Sequence, residues 1–206
     1  MRNTRIIVLI LLSITINLHS FAQKIKSNNN MSSTALILID IQEFYFLGGA
    51  LPLLEPEKAA LNAQKILNTF RDHNLKIVHI KHIANSGSNI HKLVSPINDE
   101  KVIEKNKANA FVDTDLLDFL KENNITNLIL CGMQTHMCLE AAARAANDYG
   151  FICTVIEDAC TTRDLKFGET IVKAKDVHYS TLSTLKGTYA KIKTTNDFLQ
   201  DISLIQ

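Results

Sequence analysis

Three side chains of kinds that together can cut an acyl bond stand far apart in this chain of 206 residues: Asp40, Lys105 and Cys138. A thiol can attack a carbonyl carbon, a carboxylate can take its proton, and an ammonium can hold the charges of the pair in place. Cys138 lies within residues 128–150, LILCGMQTHMCLEAAARAANDYG. There an apolar run reads as a buried strand, residues 132–135 as a tight bend, and the alanine-rich residues 139–147 as a helix. A sulfur where a strand turns into a helix lies near unpaired backbone N–H groups and the positive end of the helix dipole. Thiolate is therefore expected to be favoured, below the ~8.5 at which a free thiol titrates. The alternative reading is a small buried residue at a helix start.

The elements that must position these groups alternate between strand and helix. Residues 34–41, TALILIDI, are an apolar run broken only by Asp40; such runs fit a parallel strand covered on both faces. Asp40 at its end reads either as a reactive carboxylate or as a cap for the following turn. A loop at 44–56 contains Gly48, Gly49, Pro52 and Pro56, and residues 57–73 carry helical periodicity. Residues 76–82 form a second strand, 84–100 a polar loop with no obvious element, and 101–104 a third strand ending at Lys105. Asp113 or Thr114 can cap a helix to about residue 122.

Residues 127–131 are the fourth strand and 151–156 the fifth, after which Glu157-Asp158-Ala159 opens a loop. Two short helices are expected around 167–177 and 180–185, then a sixth strand at 189–193 and a terminal helix at 196–202. This alternation predicts a parallel sheet with helices on both faces. Ligands of open α/β sheets sit at the carboxyl ends of the strands. Asp40 ends the first strand, Lys105 the third, and Cys138 follows the fourth, so all three are expected at one rim.

Composition narrows the function classes. Residues 1–22 place Arg2 and Arg5 before an apolar run and end in Ser20-Phe21-Ala22, the pattern of a cleaved signal peptide and hence an exported protein. The apolar run is short for a spanning helix, so no stable membrane association is expected after cleavage. Without those two arginines, 22 basic side chains become 20 against 21 acidic ones, a formal charge of −1. That balance gives no footprint for nucleic acid. Residues 23–33, QKIKSNNNMSS, read as a disordered leader, and 34–206 as one domain large enough for a full core. Four cysteines in an exported chain first suggest disulfides. Cys131 and Cys153 fall inside strands, however, and only a bridge through Cys160 stays open.

Taken in order, ILIDIQ at 37–42, EKNKANAF at 104–111, GMQTHMC at 132–138, IEDAC at 156–160 and the later YAKI resemble the isochorismatase-like cysteine hydrolase superfamily, in its nicotinamidase-related branch. The resemblance implies a three-layer, Rossmann-like α/β fold with a six-stranded parallel sheet. It implies a triad of Asp40, Lys105 and Cys138, with Lys105 preferred over Lys107 because the family's lysine precedes the phenylalanine by six residues. It implies a cis peptide at Met133-Gln134, with the backbone N–H groups of Gln134 and Cys138 as an oxyanion hole. Gln42, Phe46, His82 and Phe111 are the expected substrate-binding residues, and family members commonly form homo-oligomers.

Nicotinamidases carry an Asp-x-His element with further histidines, a ligand set suited to zinc or iron. Residues 81–96, KHIANSGSNIHKLVSP, offer His82 and His91 with no aspartate in that spacing, so neither metal nor cofactor is expected. The activity implied is hydrolysis of a small-molecule amide or ureido bond. A vinyl ether hydrolase of the isochorismatase type and a non-catalytic or redox thiol module are the alternatives.

Overall fold

Runs of Val, Ile and Leu without polar interruption bury strands on both faces, and in this protein they assemble side by side with helices covering each side. The computed structural model describes residues 33–201. The expected leader at 1–22, most of the 23–33 segment and the end of the terminal helix lie outside those residues. Six parallel strands, β1 (Thr34–Ile39), β2 (Lys76–His82), β3 (Lys101–Lys105), β4 (Asn127–Met133), β5 (Ile152–Thr161) and β8 (Lys191–Lys193), stand in the order β3-β2-β1-β4-β5-β8. Helices α1 (Pro56–Asp72) and α5 (Thr195–Gln200) lie on one face. The other carries α2 (Leu116–Glu122), α3 (Glu140–Asp148) and α4 (Ala174–Leu185). Alternate residues of β1 divide accordingly: Ala35, Ile37 and Ile39 pack toward α2 and α3, Leu36 and Leu38 toward α1. This is the expected α/β fold.

Two stretches differ from the sequence reading. Residues 165–172 form an antiparallel hairpin, β6 (Leu165–Phe167) and β7 (Thr170–Val172), where a helix was expected. Gly168 at φ +59° supplies the turn, and β-branched Thr170, Ile171 and Val172 favour the extended form. The remainder is one helix, α4, rather than two. The second difference is β5, which runs on through Glu157 and Asp158 instead of opening into a loop. A shift in register against β4 between Leu130 and Gly132 lets it continue. Asp158 gains a structural task there, its Oδ1 accepting from the backbone N–H of Thr195 at 2.8 Å at the start of α5.

The centre of the sheet is tight. At Gly132, φ is +138° and an added Cβ would lie 2.0 Å from the Ile39 carbonyl oxygen, so only glycine lets β4 run against β1 at this point. Asp40 follows immediately on β1 with φ +50°, a left-handed conformation that aspartate tolerates better than most residues. The long 84–100 segment is stitched to the chain after β1. His91 donates its backbone N–H to the Ile41 carbonyl at 2.8 Å, and Glu43 and Phe44 donate theirs to Asn89 and Gly87, each at 3.0 Å.

Candidate active site

The carboxyl ends of β1, β2, β3 and β4 bring Asp40, His82, Lys105 and Cys138 to one place. His82 and Lys105 are cross-strand partners in the β2–β3 register, which puts both side chains on the same face. The Lys105 Nζ donates to Asp40 Oδ2 at 2.7 Å, to the Lys107 carbonyl at 3.0 Å and to His82 Nδ1 at 3.2 Å. Three acceptors match the three N–H bonds of an ammonium, so the site fits a charged lysine and a neutral His82 whose proton sits on Nε2. Neither side chain of the Asp40–Lys105 pair is exposed. The Lys107 side chain takes no part; its backbone carbonyl does.

Asp40 Oδ1 is buried and has no hydrogen-bond partner. One ligand-type atom from each of Asp40, His82 and Cys138 lies within 4.8 Å of the others, so the sulfur sits beside this carboxylate. Burial raises the Asp40 carboxyl above its usual range, while the adjacent Lys105 ammonium pulls it back down.

The Cys138 thiol behaves differently from the sequence expectation. It is pushed up to about 12, first by burial and then by the negative charge of Asp40, with Lys105 opposing. Cys138 falls within a π-helical turn at Thr135–Leu139, one turn before α3, and is buried there, so loss of solvation outweighs the helix end. At neutral pH Cys138 is therefore a thiol.

The same donor trio is one a thiophilic cation would use. The Lys105 ammonium already supplies positive charge to Asp40 and His82, and a divalent ion added there would meet its repulsion. The residues present do not fit a metal centre.

The other expected site residues have different surroundings. The Met133-Gln134 peptide is cis, where the resemblance placed it. Gln42 is fully buried and occupied within the chain. Its Nε2 donates to the carbonyls of His82 at 2.9 Å and Ser88 at 2.6 Å, and its Oε1 accepts from the His82 N–H at 2.8 Å. It braces the end of β2 rather than facing a substrate, because its donors are taken. Phe46 is buried and stacked on the His91 ring. Phe111 packs against Tyr149 and Phe151. Of the four expected substrate-binding residues, His82 is the one the structure brings beside Asp40, Lys105 and Cys138. All four cysteines are buried free thiols, and Cys160 donates to the Ile156 carbonyl at 3.2 Å.

Sequence reasoning passed over Tyr45 and Arg163. The Tyr45 hydroxyl accepts from Gln134 Nε2 at 3.3 Å. Burial raises this phenol, and the charges of Asp40, Cys138 and Arg163 all act on it. Tyr45 falls between two phenylalanines in a 3₁₀ turn, Glu43–Tyr45, and nothing in its spacing separates it from them. In the turn before Cys138, Thr135 Oγ1 bonds His178 Nδ1 at 2.9 Å and His136 Nδ1 bonds Thr162 Oγ1 at 2.6 Å.

With this geometry in place, the comparison with known proteins is direct. The Isochorismatase domain family matches residues 34–190, which contain every group described above. The chain belongs to the isochorismatase family. The isochorismatase family protein YddQ of Bacillus subtilis is 42% identical over 179 residues, covering 82% of this chain and 99% of that protein. The crystal structure of an isochorismatase hydrolase from Oleispira antarctica matches with a TM-score of 0.79 at 37% identity, covering 82% of this chain and 97% of that one. Maleamate amidohydrolase of Pseudomonas putida is 26% identical over 194 residues, 82% of this chain and 86% of that enzyme. The protein is an isochorismatase-family hydrolase.

Burial also governs the acid stability of this hydrolase. His79, His82, His91, His136 and His178 are all held below the ordinary imidazole value, in each case first by burial. Below about pH 6.5 the unfolded chain therefore binds more protons than the folded one, and stability falls with pH through that window. Asp40, raised by burial, works in the opposite sense but is one group against five. The midpoint of thermal unfolding is expected to be flat from pH 8 to about 6.5 and to drop steadily toward pH 5; a constant midpoint down to pH 5 contradicts this reading.

Proposed function

We propose that this hydrolase cleaves the carbon–nitrogen bond of a small amide through a thioester on Cys138. The observation that carries the reading is the division of labour on one buried carboxylate. Asp40 Oδ2 is fixed by Lys105 at 2.7 Å, Oδ1 has no hydrogen-bond partner, and the sulfur of Cys138 lies within 4.8 Å of an oxygen of this carboxylate. As the sulfur attacks the carbonyl carbon, Oδ1 takes the thiol proton, and no free thiolate has to exist beforehand. The backbone N–H groups of Gln134 and Cys138 serve as oxyanion donors, each worth roughly 3 kcal/mol by analogy with other such sites. Asp40 then returns the proton to the leaving amine, accepts one from the incoming water, and the thioester opens to acid and free thiol.

Two further points support this reading. Vinyl ether hydrolysis makes no use of a sulfur nucleophile, and the proximity of the Cys138 sulfur to the Asp40 carboxylate supports the amide reading over it. Maleamate amidohydrolase, a relative over most of the chain, acts by its name on an amide. The leader pattern of residues 1–22 favours action after export. The test is ammonia release from a panel of small amides, with acid quenching and mass analysis of the peptide that carries Cys138. Ammonia together with an acyl increment on Cys138 is expected. Turnover without that adduct under rapid quench, or cleavage of vinyl ethers alone, overturns the proposal.

A further inference from the structure

The β6–β7 hairpin is a part of the fold that the active site does not use and the core does not cover. Phe167 before its turn is 87% exposed and Ile171 is 56% exposed, and Thr170 and Val172 are open to water as well. Among the described residues the two strands pair only with each other. A lone two-stranded ribbon is marginal in water, and an uncovered edge of Thr-Ile-Val carries no charge within the strand to turn another strand away.

The register fixes which backbone groups face outward. Gly168 and Glu169 form the turn between Phe167 and Thr170, so Phe167 and Thr170 share the hydrogen bond that closes it. Hydrogen-bonded and open pairs alternate along an antiparallel ladder. Lys166 and Ile171 are therefore an open pair, and Leu165 and Val172 are bonded again. The N–H and C=O of Ile171 accordingly point away from β6, toward the free edge.

That edge is complementary to itself. When β7 lies antiparallel to the β7 of a second copy with Ile171 opposite Ile171, the two isoleucines exchange both main-chain bonds and Thr170 faces Val172. Glu169 then faces Lys173, twice over, on either side of the twofold axis. Both groups are free to meet: Glu169 is exposed, and the Lys173 ammonium gives one of its three donors to Asp164 at 2.9 Å in an exposed bridge. The same operation on β6, centred on its middle residue, sets Lys166 against Lys166, so β7 is the matching edge. We propose that two copies of this chain join through their β7 edges, centred on Ile171, into a four-stranded sheet ordered β6-β7-β7-β6. One face of that sheet carries apolar rows in which Leu165 and Val172 of one copy continue into Thr170 and Phe167 of the other. The contact draws on no group of the triad and stands or falls apart from the amide reading.

Sedimentation velocity over a range of protein concentrations tests the association, and the wild type is expected to form a dimer. Ile171→Pro removes the outward N–H without touching a β6–β7 bond, and it is expected to raise the dimer dissociation constant at least about tenfold. Glu169→Lys and Lys173→Glu each set like charges face to face and are expected to weaken the dimer, while the two together restore it. A hairpin merely damaged by one substitution is not repaired by the other. Ile171→Cys supplies a positive readout, because Cα atoms of a hydrogen-bonded pair lie about 5.5 Å apart, a spacing that suits a disulfide. The four native cysteines are buried, so the new thiol is the accessible one. Mild oxidation is expected to give a covalent dimer from Ile171→Cys and none from Phe167→Cys, which lies on the outer strands of the four. A monomer at every concentration overturns the proposal. So does a dimer that Ile171→Pro and the charge reversals leave unchanged, or one that crosslinks equally through either new cysteine.

Discussion

Cys138→Ala is expected to lower turnover of any amide the protein cleaves by on the order of 10⁴-fold or more, the scale on which removal of a nucleophile acts in hydrolases. The thiol of Cys138 is pushed up to about 12 and so is protonated at neutral pH, and on the proposed mechanism it attacks only as its proton leaves for Asp40. Asp40→Asn preserves the shape of the side chain and removes the acceptor, and it is expected to come close to the loss seen for Cys138→Ala. The two losses are not expected to add in the double variant, because base and nucleophile act in one step. Ammonia release on folded protein, verified by circular dichroism, measures all three. Rates within tenfold of wild type in either single variant are incompatible with the mechanism.

Lys105→Met is expected to lose stability as well as activity. It strips the partner from a carboxylate whose side chain has no exposure, and breaking a buried pair from one side typically costs about 3–5 kcal/mol. Asp40→Asn combined with Lys105→Met removes the stranded charge, so the double variant is expected to be more stable than Lys105→Met alone. Urea unfolding of the three proteins gives the comparison. A loss below about 1 kcal/mol for Lys105→Met would place the pair in the category of exposed surface bridges and contradict its enclosure.

What could be read in the sequence followed what is local or repeated along it. The apolar runs of β1, β2 and β4 gave away their strands, and with them the position of Asp40 and Lys105 at strand ends and of Cys138 in the turn after β4, all at the carboxyl rim where such sheets bind ligands. Less legible was anything decided by approach in space. The bond from Lys105 to His82 and the contact of Tyr45 with Gln134 join residues 23 and 89 positions apart, and no periodicity announces either. The continuation of β5 through Glu157 and Asp158 depends on a register shift against a neighbouring strand, invisible along one chain. The 165–172 hairpin was misread because its alternation is too short to outweigh the helical pattern downstream. For Cys138 the expectation of an acidic thiol failed for a different reason: position along a helix can be read from sequence, but depth below the surface cannot.

The enclosure of Asp40 and Lys105 has an outcome for the medium in which the enzyme works. Dissolved ions shield charges they can approach, over about 8–10 Å at ordinary salinity, and they cannot enter a pair sealed from water. Asp40, the proposed proton acceptor, therefore keeps the same electrical environment in dilute and in briny surroundings. Charged groups that water reaches remain open to the ionic weather outside.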